Sequence, residues 1–208
     1  MASVTEGLKY AFYIIRHPID GFYDMRHENR GNLGSVFIIL GCLAVTKVIR
    51  SQYSGFLGTD IDLTRYNVLR DILDIAVPLL LWCAANWSVT ALMDGEGRFV
   101  DIFMAAGYAL TPLAFANLAV TAMSNVLALD ERGFIGLVDG AGYVLTGLLL
   151  FLGTLTIHQF TVRRTILIVL LTVMGGVFII FLIVLFAGVL DKMLNYFLSM
   201  YTEVKMRM

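Results

Sequence analysis

The sequence predicts an all-α polytopic membrane protein: a bundle of five transmembrane helices preceded by an N-terminal amphipathic interfacial helix. Three observations carry that reading. Of the 208 residues, 59% are hydrophobic, and mean hydropathy is +0.81. Only 15% are charged, against roughly 25% in an ordinary soluble domain. The charged residues leave uncharged runs of 16, 19, 28, 18 and 26 residues between them, and a helix needs about 20 apolar residues to cross the hydrocarbon core. A net charge of -1 excludes a nucleic-acid binder built on a basic surface. The runs are too long for barrel strands and lack period-two alternation, which excludes a membrane β-barrel.

In chain order, residues 1–32 form an N-terminal segment apart from the membrane domain. Pro18 suits the first position of a helix. Over 18–29, Ile19, Phe22 and Tyr23 share one side while Asp20, Asp24 and Glu28 populate the other, the pattern of a helix lying on the bilayer. The membrane domain covers 33–190, with spans 33–50, 75–93, 102–126, 138–157 and 166–190. The first reaches full length because the long stem of Lys47 lets its ammonium snorkel to the interface. In the loop 51–74, Leu63, Tyr66, Leu69 and Ile72 repeat every third residue, as in a short amphipathic helix feeding span two. Residues 191–208 form a C-terminal tail. No cleavable signal peptide, myristoylation site or prenylation box is expected. Cys42 and Cys83 lie in apolar runs and read as small core residues. Five spans place seven basic residues on the side of the N-terminus and eight on the other, so the positive-inside rule gives no orientation.

The hairpin between spans two and three holds Asp94, Glu96, Arg98 and Asp101, with Gly95 and Gly97 allowing a tight reversal. A calcium loop is the first thought, but Arg98 and Phe99 occupy positions where such a loop needs an oxygen ligand and a glycine. Asp101 is placed to favour the N-terminus of span three. The second short loop on the same side carries Arg163 and Arg164. Opposite charge on two neighbouring loops predicts that they pair, the alternative being that the arginines face lipid phosphates. Within the spans, Asn86, Pro112, Asn117 and Asp139 are the candidate intramembrane polar residues, either packing glue or the lining of a polar path. Asp139 reads as a helix N-cap at a span end, and His158 as an interfacial residue. His17, His27 and His158 lack metal-ligand spacing. No nucleophile, phosphate-binding or paired-acid motif is present, so no catalytic residue, metal or cofactor is expected.

The order of these features resembles the Yip family, the Ypt-interacting-protein domain, in its bacterial branch. The resemblance rests on His17-Pro-Ile-Asp-Gly-Phe22, on Arg30-Gly-Asn-Leu33, and on Trp87 followed by Leu92-Met-Asp-Gly-Glu-Gly-Arg-Phe99. Gly107-Tyr-Ala-Leu-Thr-Pro112 and two further apolar spans complete it. It implies five spans in the cell membrane, a cytoplasmic N-terminus, an external C-terminus, and cytoplasmic loops at Asp94–Asp101 and His158–Thr165. It implies no known catalysis. Eukaryotic relatives serve membrane traffic with small GTPases through a longer N-terminal region; this chain has about 30 residues there. Bacterial members are expected to act as accessory proteins to other membrane proteins such as transporters. The expected partners are the lipid bilayer and another membrane protein, with no nucleic acid. Homo-oligomers stay open. A permease for a small solute or ion is the competing class.

Overall fold

The computed structural model describes residues 4–28, 30–54, 67–127 and 131–207. Among these there is no strand. Eight helices follow in order: α1 (Val4–Arg16), α2 (Pro18–His27), α3 (Leu33–Tyr53), α4 (Val68–Leu92), α5 (Phe99–Ala109), α6 (Thr111–Ser124), α7 (Arg132–Ile157) and α8 (Val162–Arg207). Four stretches are long and apolar enough to cross a membrane: α3, α5 with α6, α7, and α8. α4 has 25 residues.

Local chemistry sets several boundaries. Pro18 sits in the first turn of α2, so α1 ends at Arg16 and the chain turns at His17. Asn32 caps α3, its side-chain oxygen accepting from the Gly34 N–H at 2.9 Å, and Asn67 caps α4 through the Leu69 N–H at 2.9 Å. The stretch read as a single span, 102–126, is two helices. Pro112 lies in the first turn of α6 and lacks an N–H, so the helix breaks at Leu110. The Thr111 hydroxyl donates to the Tyr108 carbonyl at 2.7 Å, satisfying an acceptor at the break.

α5 is the centre of the bundle. Ile102 and every residue from Met104 to Ala109 are buried, and α5 packs against α1, α3, α4, α6 and α7. Small side chains make this close packing feasible. A Cβ on Gly107 would collide with the Val36 side chain of α3. The main apolar core joins Tyr10 and Ile14 of α1, Phe22 and Met25 of α2, Val36 of α3, Tyr108 of α5 and Leu149 of α7.

That core shows that residues 1–32 do not stand apart from the membrane domain. α1 and α2 are packed into the bundle. On α2 the inward face is Gly21, Phe22 and Met25, and the Phe22 ring lies against Gly153 of α7, a glycine that Ala105 of α5 also approaches. Ile19 and Tyr23, expected to share the side of Phe22, are exposed. At 100° per residue a helix buries one stripe about three residues wide, and the stripe through 22 and 25 leaves 19 and 23 outside. The tail 191–208 is also corrected: through Arg207 it continues α8. At 46 residues that helix is about 69 Å long, over twice the ~30 Å hydrocarbon thickness. The described part of the proposed loop helix begins at Asn67; Leu63 and Tyr66 lie outside the described residues.

Phe22→Ala should therefore cost about 3–5 kcal/mol and lower the melting temperature in detergent by several degrees. Ile19→Ala and Tyr23→Ala should leave it nearly unchanged. Three equal, small effects would return α2 to the membrane surface.

Candidate functional site

Polar chemistry collects at the two ends of the bundle. At the N-terminal end, the finish of α4, the start of α5, the finish of α7 and the start of α8 meet α2. α4 and α7 both end with a non-glycine residue in the left-handed region: Asp94 at φ 53° and Gln159 at φ 52°. In each case the next N–H reaches back to a carbonyl five residues earlier, Gly95 to Thr90 at 2.8 Å and Phe160 to Leu155 at 3.0 Å, closing the helix end. Such residues carry about 1 kcal/mol of strain each, so the surrounding contacts must hold them.

His158 and Arg26 supply those contacts. His158 is 2% exposed. Its Nδ1 accepts from the Gly97 N–H at 3.2 Å, which assigns the ring proton to Nε2, and its ring stacks on Phe160 at 5.3 Å. Gly95 and Gly97 press directly on it: a Cβ on either would lie 2.7 or 2.6 Å from imidazole atoms. These two glycines thus serve the approach to His158; neither has a positive φ. Arg26, from α2, donates to the Ile157 carbonyl, and also to the Glu96 carbonyl at 3.2 Å and its carboxylate at 3.1 Å. Gln159 meets His27 at 3.1 Å. Arg98 and Asp101 open α5, the Arg98 N–H donating to the Asp101 carboxylate at 3.2 Å.

The expected pairing of Arg163 and Arg164 with the hairpin acids is not what holds the loops together. Among the described residues, no ion pair joins either arginine to Asp94, Glu96 or Asp101. The counter-charge of Glu96 is Arg26. Arg164 instead donates to the Met93 carbonyl and lies over the Phe160 ring, 4.5 Å from its centroid; Arg163 is exposed. The physical reason is reach: Arg26 of α2 bonds both the carbonyl and the carboxylate of Glu96, so that acid is already paired. His158, read as interfacial, is a buried latch.

At the opposite end, Asp139 is not an N-cap. α7 begins at Arg132, which places Asp139 seven residues, about 10 Å, inside the helix. Arg50 of α3 grips it with both nitrogens, at 2.6 and 3.1 Å, and donates to Asn117 of α6 at 3.1 Å. This bidentate pair ties three helices. Each partner's side chain is about a quarter exposed, 24% and 25%, so losing one costs on the order of 2 kcal/mol rather than the larger figure for a dry pair. Nearby, Ser51 donates to Asp71 at 3.1 Å, and Lys47 pairs with Asp74 at 3.2 Å. Asn86 belongs elsewhere: it lies six residues from the end of α4, toward the N-terminal end, and donates to Thr172 of α8 at 3.3 Å. Pro112 lines neither cluster; it breaks the span. Neither Arg26 nor Arg50 belongs to a motif in the sequence. An acid placed within a span calls for a base at equal depth, and that signal leads to Arg50.

A bundle of helices in which four stretches are long and apolar enough to cross a membrane defines a multi-pass membrane protein. The model of the Yip1 domain family matches residues 12–190, and the chain belongs to that family. No curated protein and no solved structure matches it.

The latch makes a pH prediction. Burial, then the neighbouring Arg26 guanidinium, lower the His158 pKa from 6.5 to about 4, with Asp101 and Glu96 opposing. Above about pH 6.5 both folded and unfolded states hold a neutral imidazole, and stability is full. Between about 6.5 and 4 the unfolded state takes up the proton first, so stability falls as pH falls. His158→Gln should flatten the melting temperature over that window. A variant with the same pH profile as the parent would remove His158 from this role.

Proposed function

We propose that this chain is a five-span, non-enzymatic membrane protein that acts as an accessory, scaffold or assembly partner for another membrane protein, such as a transporter. α4 is the fifth span, through its 19 uncharged residues 75–93. The N-terminal end of the bundle faces the cytoplasm and the C-terminus lies outside the cell membrane; this orientation follows the likeness to the Yip family, since the basic residues divide evenly.

The observation that supports the reading is the state of the polar groups. A permease calls for polar side chains that converge at mid-depth and stay available. Here Asp139 and Asn117 are bound to Arg50, while Asn86 sits in a different place, bound to Thr172. Buried Thr90, Thr121, Thr154, Thr156 and Thr172 donate to carbonyls of their own helices. The N-terminal end instead offers an outward, braced surface. Glu96 and Arg98 are exposed there on a hairpin braced by His158 and Arg26, and Arg163 is exposed in the first turn of α8. A rigid, charged end-face suits a protein partner. A small-solute or ion permease, or a permease subunit, is the second reading. The feature that favours it is Asp139, a carboxylate two turns inside α7.

Purified in mild detergent, the protein should bring down one membrane protein in a fixed ratio. Arg98→Glu combined with Arg163→Glu should release that partner without lowering thermal stability. Cysteines at Gln159 and Tyr53 should label from opposite sides. Solute uptake into proteoliposomes holding this chain alone, lost on Asp139→Asn, would overturn the proposal in favour of the second reading.

A further inference from the structure

Between α4, α5 and α7 lies a cavity with room for about one water, some 10 Å³, lined by Trp82, Asn86, Ile102, Ala106, Thr154 and Ile157 among others. Most of its wall is apolar. Asn86 is 1% exposed, and its Oδ1 finds no donor among the described residues.

The orientation of that amide follows from its neighbours. Thr172 commits its hydroxyl proton to the Ile168 carbonyl at 2.8 Å, so its oxygen can only accept from Asn86, at 3.3 Å. The Asn86 NH₂ must therefore face Thr172, and the carbonyl oxygen is left on the other side of the amide. Thr154 adds a second acceptor. Its proton goes to the Leu150 carbonyl at 2.9 Å, leaving lone pairs alone to offer. Asn86 Oδ1 and Thr154 Oγ1 thus stand as acceptors on one small cavity, and a water can give a proton to each. A buried carbonyl left without a donor costs about 1–3 kcal/mol. A cavity of this size is at the lower limit that holds one water, and a water needs two to four polar partners.

We infer that one water occupies this cavity, donating to Asn86 Oδ1 and to Thr154 Oγ1. It is a binding site for a single two-proton donor the size of a water. The water joins α4, which carries α8 through the Asn86–Thr172 bond, to α7. The α4–α8 pair is thereby fastened to α7 by a joint that can be remade without breaking a protein–protein hydrogen bond.

A structure of the full chain in nanodiscs or a lipidic phase, at about 2 Å, tests this directly. One ordered peak at hydrogen-bond distance, roughly 2.6–3.2 Å, from Asn86 Oδ1 is expected, together with water-selected solid-state NMR transfer to the Thr154 methyl group. Asn86→Leu, which removes the orphan oxygen at similar volume, should abolish that transfer. An empty cavity in the parent protein, or a water signal that survives Asn86→Leu, would overturn the inference. The parent structure decides the matter even where the variant does not fold.

Discussion

The arrangement of the N-terminal end depends on Arg26. Its side chain is 16% exposed and is spent on three acceptors from two parts of the chain: the last carbonyl of α7, and the carbonyl and carboxylate of Glu96 in the hairpin. The relative sizes matter. Glu96 is 60% exposed, so the ion pair contributes only about 0.2–1 kcal/mol. A charged donor on the otherwise unsatisfied end carbonyl of a helix is worth about 1.5–3 kcal/mol. The guanidinium therefore acts mainly as a cap for α7, and the hairpin is gathered in through the same group. Without α2 in the core there would be no arginine at this position, so the burial of Phe22 and Met25 is what makes the clamp exist.

The far end is organised on different terms. There the ion pair itself is the brace, because Arg50 and Asp139 meet about 10 Å inside α7 with geometry that uses both oxygens. Between the two ends lies α5, whose small residues let five other helices approach it. The bundle thus has a dense apolar middle and a polar fastening at each end. Two consequences bear on function. Most intramembrane polar groups are bonded within the bundle, Asn86 Oδ1 being an exception, and Glu96, Arg98 and Arg163 stand exposed at its N-terminal end. α8 departs from this plan: beyond Gly176 its residues are almost all exposed, and the helix runs on far past the thickness of a bilayer.

Much of this was legible in the residues. Charges mark span ends because burying them in hydrocarbon is costly, so uncharged runs fall largely within α3, α7 and the apolar part of α8. The hairpin Asp94–Asp101 stood out by its paired glycines. What lay beyond the sequence was relational. Ile19, Phe22 and Tyr23 are alike in composition, and only docking against α5 and α7 decides which one is buried. Asp139 looked like a cap because it ends an uncharged run, although the helix starts seven residues earlier at Arg132. The left-handed turns at Asp94 and Gln159 carried no glycine to announce them. Arg163 and Arg164 had the right sign for Glu96, but sign says nothing about which base arrives first.

Hydrogen–deuterium exchange in detergent or nanodiscs, comparing the parent with Arg26→Gln, tests the clamp most directly. Amides of the hairpin around Gly97 and of the α7 end around His158 should lose protection together, while those beside Arg50 and Asp139 keep theirs. Unchanged protection at Gly97 and His158, or an equal loss throughout the bundle, would contradict it.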